Sequence, residues 1–298
     1  MSIYNLLASV EKAAEWKLED FILFASEFLD FVQIGQKRQA NIQADIVSTS
    51  DPNYHFIQYK DDGHYCVTRP YNSTLMMNKQ TFSSACETII PKLNNIREYR
   101  ENKIIREKLN NILYTCQQSI GCTLDALNNA NSAKKRNGII FEKLIRDFIS
   151  RCGVNVNHQT ETVKLNQTNE FMRFEHDIII SNFKNHKKAI GQIKTSTKDR
   201  IDKVFIDSIL YKTIKDIDIP YFVIVLNDIQ RNKRKDGLYG TNTTFLPGHF
   251  KAYTIALHPL DGVYYVDLPN TIKNDKFLED NIFSFDKLIF EDIWKFLG

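Results

Sequence analysis

Residues 221–228, YFVIVLND, form an unbroken apolar run of strand length that ends at an Asn-Asp pair. A strand with no polar face has to lie in a sheet covered on both sides. The chain supplies the cover. Residues 138–150 carry Ile140, Phe141, Leu144, Ile145, Phe148 and Ile149 on one helical stripe, and 199–215 repeat the pattern with Ile201, Val204, Phe205 and Ile209. Residues 282–297 read as a closing helix, and 171–181, 189–194 and 262–268 read as further strands. Helices and strands in this alternation predict an α/β (α+β) core, a mixed central β-sheet flanked by helices.

The first part of the chain reads differently. Dense apolar residues at near-helical spacing predict helix over residues 1–48, HFIQYKDDGHYCVT (55–68) predicts a hairpin turning at Asp62-Gly63, and two helical stretches follow at 82–99 and 101–128. The polar segment 128–138 has no apolar period. The expected division is a mainly helical N-terminal region, 1–130, serving recognition or dimerisation, and a core domain, 131–298.

A 298-residue chain with 43% hydrophobic and 25% charged residues has enough apolar material for a real core. The net charge of +3 does not argue for nucleic acid by itself; the cations cluster at 134–136, 186–188 and 231–235. The stretch 231–245 reads as a long basic loop, equally suited to DNA contact or to a plain surface role. Five cysteines without paired short spacings argue against a disulfide framework or a zinc site and for reduced thiols. MSIYNLLASVEKAAEWKLEDF lacks the basic region and long apolar run of a signal peptide, and no stretch reaches the roughly 18 apolar residues of a membrane span. The expectation is a cytoplasmic protein with no membrane partner.

Chemistry concentrates in residues 175–200. Gln192 and Lys194 are two apart and share a strand face, while Gly191 and Ile193 point the other way. Asp177 lies 17 positions before the lysine, and an antiparallel pair joined by SNFKNHKK would bring the two together. A buried lysine on such a face needs a partner or a water-filled cleft. Phosphodiester hydrolysis gives this set a reason. A hard divalent cation needs carboxylate oxygens, and a lysine beside it can orient water and stabilise developing charge. Asp177 is then the metal ligand and Lys194 the partner of water and phosphate.

His176-Asp177 followed by Gln192-Ile193-Lys194 resembles the signature of the PD-(D/E)XK nuclease superfamily, and within it type II restriction endonucleases. The sequence departs from it twice: His176 replaces a proline, and Gln192 replaces the second acid. RNGIIFEKLIRDFI (136–149) is similar to the R-x-G-x-x-F-E helix of several restriction enzymes, and KTSTKDR (194–200) to their K-T-[ST]-x-x-[DE]-R segment. The resemblance spans about 134–228 and implies a restriction-endonuclease-like fold with Mg²⁺ as cofactor. It leaves two candidates for the displaced carboxylate, Asp207 on the following helix and Glu142 on the preceding one. Arg200, Lys198, Thr195, Ser196 and Arg136 are the candidate DNA contacts. The implied partners are double-stranded DNA, a second copy of the chain and a cognate methyltransferase, in a bacterial cytoplasm. Plainer roles stand beside these. Lys203 precedes Asp207, and Glu142 precedes Arg146, by the four residues of an ordinary helical ion pair. The Gln192 substitution also fits a non-catalytic DNA-binding protein on a decayed nuclease core, and a less specific repair or modified-DNA nuclease is a further alternative.

Overall fold

The computed structural model describes residues 2–32, 42–61, 64–165, 168–182 and 184–298. The chain forms two compact units: 1–93, 102–144 and 229–243 make the first, and 94–101, 145–228 and 244–298 make the second. The first unit therefore takes 131–144 and a later excursion at 229–243, so no single cut at residue 130 describes it.

The first unit opens with helices α1 (Ile3–Val10) and α2 (Leu18–Val32). Residues 42–47 were expected to be helical and instead form strand β1 (Ile42–Val47), which pairs antiparallel with β2 (Tyr54–Asp61). The reason is the hairpin next to it: β2 also pairs with β3 (His64–Val67) and β4 (Tyr71–Asn72), and β1 completes that sheet's other edge. The hairpin is as expected; its Asp62-Gly63 turn lies outside the described residues. Helices α3 (Lys79–Ile89) and α4 (Lys103–Leu124) follow, each opened by an asparagine whose side-chain oxygen caps a free N–H, Asn78 to Thr81 at 2.9 Å and Asn102 to Ile105 at 3.1 Å. From Leu109 to Leu124 every residue of α4 is buried. Some of its polar side chains pair internally: Ser119 and Thr123 donate to carbonyls one turn back, and Gln117 Nε2 donates to Asn137 Oδ1 at 2.9 Å, while both polar atoms of the Gln118 amide lack a partner among the described residues.

Helix α5 (Ala130–Arg151) begins eight residues before the expected 138, so the polar segment is the solvent-facing start of a helix rather than a linker. The second unit's six-stranded sheet runs β12-β11-β8-β7-β6-β5. Strands β5 (Asn155–Lys164), β6 (Phe171–Ser181) and β7 (Lys188–Lys194) are antiparallel to one another. Helix α6 (Ile201–Lys215) then crosses to β8 (Tyr221–Val225), parallel to β7. Every residue of β8 is buried, as an apolar run requires, and each large side chain so buried contributes ~1.5–3 kcal/mol. In chain order β8 is followed by the first unit's hairpin of β9 (Ile229–Lys233) and β10 (Tyr239–Thr243), where a loop was expected. Helix α7 (Pro247–Ala256), β11 (Gly262–Tyr265), α8 (Lys276–Asn281) and β12 (Phe283–Ser284) complete the second unit, and residues 285–297 coil helically through a π turn at Leu288–Asp292.

Two details fix the sheet around β7. A Cβ on Gly191 would come within 2.5 Å of the Phe222 ring and 2.8 Å of Ile178, so only glycine lets β6, β7 and β8 close there. On the other side α6 is tied down through Glu161 of β5, which accepts from Lys215 Nζ at 2.7 Å and Tyr211 OH at 2.8 Å. The Lys215 bond, joined by that from Tyr211, holds the Glu161 carboxyl below its usual range. The five cysteines carry no disulfide, and burial pushes the thiols of Cys86, Cys122 and Cys152 up to about 12. Among the described residues no helix is long and apolar enough to cross a membrane.

Candidate active site

The paired register of β6 and β7 runs from Ser181 opposite Lys188 to Ile178 opposite Gly191 and ends there. Beyond that point side chains take over from the ladder. The Ile193 N–H donates to Asp177 Oδ2 at 2.8 Å, and Gln192 Nε2 donates to the Glu175 carbonyl at 2.9 Å. An acid one residue past the last pair thus satisfies a backbone donor on the diverging strand. The Asp177 carbonyl is in turn held by Arg146 of α5 at 2.8 Å.

Lys194 closes the cluster. Its Nζ donates to Asp177 Oδ2 at 2.5 Å and to Gln192 Oε1 at 2.7 Å. The two charged side chains are 19% and 15% exposed, so the pair sits at the mouth of the site rather than in the core. An ammonium has three donors, and two are used here. Gln192 is pinned from behind: its Nε2 also donates to Tyr221 OH at 3.0 Å. Burial pushes the Tyr221 phenol up, and the charges of Asp207 and Asp177 push it further in the same direction.

Asp207 has a different partner. Its side chain is 14% exposed on α6 and accepts from Lys203 Nζ at 2.6 Å, the plain helical pair. Its charge is nonetheless felt at Tyr221 and at His176, as is that of Asp177. His176 itself is an aromatic core residue. It stacks on Phe174 and stands edge-on to Tyr211 with centroids 4.7 Å apart, and burial lowers its pKa. Neither ring nitrogen has a hydrogen-bond partner among the described residues.

The structure therefore brings Asp177, Gln192 and Lys194 into one hydrogen-bonded cluster, while Asp207 pairs with Lys203 on α6. Glu142 is half-buried on the part of α5 that belongs to the first unit. Arg136 is there too, 3.5 Å from Glu11. Thr195 and Ser196 are half-buried just past β7, where the Ser196 hydroxyl accepts from the Lys198 N–H at 3.1 Å. Lys198 and Arg200 are exposed on either side of Asp199, which adopts φ 53°, a left-handed geometry that Asp tolerates.

Sequence reasoning missed Asp228 and Thr197. Asp228 is fully buried and gathers four donors: Thr197 N at 2.7 Å, Thr197 Oγ1 at 2.6 Å, Tyr265 OH at 2.6 Å and Thr244 Oγ1 at 3.0 Å. The available signal was an acid directly after the apolar strand. It marks the strand's end without naming its partners.

The donor set suits a hard cation. Asp177 Oδ1 accepts no hydrogen bond among the described residues, and Gln192 Oε1 is a second hard oxygen in the same cluster. No group of three or more His, Cys, Asp or Glu side chains that could hold an ion is gathered among the described residues. A Mg²⁺ ion would complete its shell with water and phosphate oxygens, its usual habit. Gln192 also explains its own identity. A glutamate there would set an oxygen against the Glu175 carbonyl in place of a donor. Gln192→Glu should lower stability by about 1–3 kcal/mol without metal and regain part of it with Mg²⁺. Melting curves with Mg²⁺ and with EDTA check this; an identical Mg²⁺ shift in both proteins would exclude position 192 from the ion's surroundings.

The six-stranded mixed sheet and its flanking helices form a restriction-endonuclease-like fold. The chain is similar in structure to the Type IIP restriction endonuclease Kpn2I, with a TM-score of 0.72 and 16% identity over 98% of this chain and 97% of that one. Restriction endonuclease PspGI in complex with substrate DNA aligns with a TM-score of 0.40 and 13% identity over 73% of this chain and 92% of that one. No family model and no curated protein sequence matches.

Proposed function

We propose that this protein is a type II restriction endonuclease that hydrolyses both strands of a specific duplex DNA site with Mg²⁺. The observation that carries the reading is the Asp177–Gln192–Lys194 cluster at the open end of β6 and β7. It is supported by a fold that matches a type IIP enzyme over nearly the whole of both chains.

When bound, Mg²⁺ lowers the pKa of its water and neutralises charge on the phosphate. Asp177 Oδ1 and Gln192 Oε1 would hold it, with Asp207 or Glu142 as the further carboxylate. Lys194 keeps one N–H for the attacking water or a phosphate oxygen, and its charge offsets the negative charge that grows as the P–O bond breaks. Asp177 Oδ2, itself fixed by the Ile193 N–H, holds that ammonium in register with the strand. Tyr221 and the Glu175 carbonyl fix the amide of Gln192 so that its oxygen faces Lys194. Arg200, Lys198, Thr195, Ser196 and Arg136 are suited to phosphate oxygens, which position a duplex without reading it. A symmetric site calls for a symmetric reader, so the working form is a homodimer, acting in a bacterial cytoplasm beside a methyltransferase that protects host DNA.

The test is a digest of unmethylated phage DNA with Mg²⁺ and with EDTA. Discrete Mg²⁺-dependent fragments are expected. A smear would favour a less specific nuclease. Intact DNA despite tight duplex binding would favour the non-catalytic reading that Gln192 keeps open.

A further inference from the structure

The β9–β10 hairpin has two unlike faces. Arg231, Tyr239 and Thr241 turn toward the rest of the first unit. Arg231 Nη1 donates to the Thr68 carbonyl at 3.2 Å and its guanidinium lies over the Tyr239 ring, which packs near Phe56. Thr241 meets Ser48 and Ser50. The ladder register puts Gln230, Asn232, Gly240 and Asn242 on the opposite face. Its three amides are exposed. A Cβ on Gly240 would come within 3.1–3.2 Å of the Ser50 and Thr49 hydroxyls, so the glycine leaves room for those hydroxyls beside the amides. The face therefore offers donors and acceptors and carries no charge.

Stability does not ask for this composition. Asparagine is disfavoured in strands, and exposed amides bury nothing. Asn232 and Asn242 flank the central Thr241–Arg231 pair, and their contact with each other, Asn232 Nδ2 to Asn242 Oδ1 at 3.5 Å, is long and exposed, where threonine or valine would pair better. Beyond them the turn is cationic: residues 231–236 read RNKRKD, and Lys233, Arg234 and Lys235 are all exposed. Arg234 lies 3.6 Å from Asp236, the one acid in that stretch.

We propose that this ribbon is a DNA-reading element: its amide face reads base edges and its cationic turn holds the flanking phosphates. The inference rests on the nuclease reading and names the surface that would supply its sequence preference. A two-stranded ribbon fits a major groove about 12 Å wide, and Asn and Gln pair bidentately with adenine there. Lys and Arg at the turn match the charge of the backbone. Uncharged amides flanked by cations separate base reading from phosphate binding, a division that a purely cationic patch would lack.

The experiment uses the full-length protein and duplex oligonucleotides carrying its cleavage site, or every single-base change to it. Two triple variants are compared with the wild type: Q230A/N232A/N242A and K233A/R234A/K235A. All six side chains are exposed, so both variants should melt near the wild type. The amide variant is expected to lose about 10- to 100-fold of its discrimination at A·T positions, with its salt dependence unchanged. The cation variant is expected to keep its preference while the slope of log K against log salt falls by about 2–3. Wild-type discrimination and salt slope in both variants would overturn the proposal and leave the nuclease reading standing. A wild-type protein that binds duplex without cutting it sinks the nuclease reading alone, and the same variants are then scored by binding. A wild-type protein that binds no duplex overturns both.

Discussion

Lys194→Ala should cut the single-turnover rate of DNA cleavage by about 10²–10³-fold or more while the protein stays folded. The side chain is at the mouth of the site, bonded to two oxygens and 19% exposed, so its loss opens no core cavity. On the proposed nuclease reading, what disappears is a positive charge that would offset the negative charge gained by the scissile phosphate. Lys194→Arg should not rescue it, because a planar fork cannot replace a compact ammonium between Asp177 Oδ2 and Gln192 Oε1. Asp177→Asn is the sharper companion. It can keep an acceptor for the Ile193 N–H, and with it the end of the ladder, while removing the charge that would hold a cation. It should abolish cleavage and leave the melting temperature close to the wild type. Cleavage by either variant within a few-fold of wild type would remove this cluster from the chemistry.

This site was largely legible because it depends on short-range periodicity. A two-residue pleat puts Gln192 and Lys194 on one face, and a hairpin brings Asp177 to them. The same logic found β8, β11 and the helices whose apolar stripes cover them. It failed where an element buries little of itself. β5 is an edge strand whose sequence, NVNHQTETVK, shows no apolar alternation, because most of its side chains meet solvent. The β9–β10 ribbon is exposed for the same reason and read as loop. The polar start of α5 showed no stripe because its turns are partly solvated. Tertiary partners were the other blind spot. Nothing in a run of residues says that Tyr221 will hold Gln192, or that the charge of Asp207 will reach the same ring from another element.

Asp228→Ala should destabilise the protein by about 2–4 kcal/mol and lower DNA binding and cleavage together. The carboxylate is fully buried and is the common acceptor for one backbone N–H and three hydroxyls. Burial, and then the charge of Asp228 itself, pushes the Tyr265 phenol far up, so that hydroxyl remains a donor. Removing the acceptor lets hydroxyls rotate toward other partners, but the Thr197 N–H is fixed by the backbone and is left unpaired. The consequence travels along the chain. The Thr197 carbonyl accepts from the N–H groups of Arg200 and Ile201 at 3.0 and 3.2 Å, which starts α6. Lys198, Asp199 and Arg200 therefore ride on a turn anchored at one end by Thr197 and at the other by the start of α6. Asp228→Asn separates the contributions. Its amide oxygen can still take the Thr197 N–H, and its NH₂ can donate to hydroxyls that turn to accept, so it should recover most of the stability and much of the DNA binding. Denaturant melts of both variants, run beside cleavage assays, decide the matter: an alanine variant within about 0.5 kcal/mol of wild type would mean that this buried carboxylate does not hold the turn.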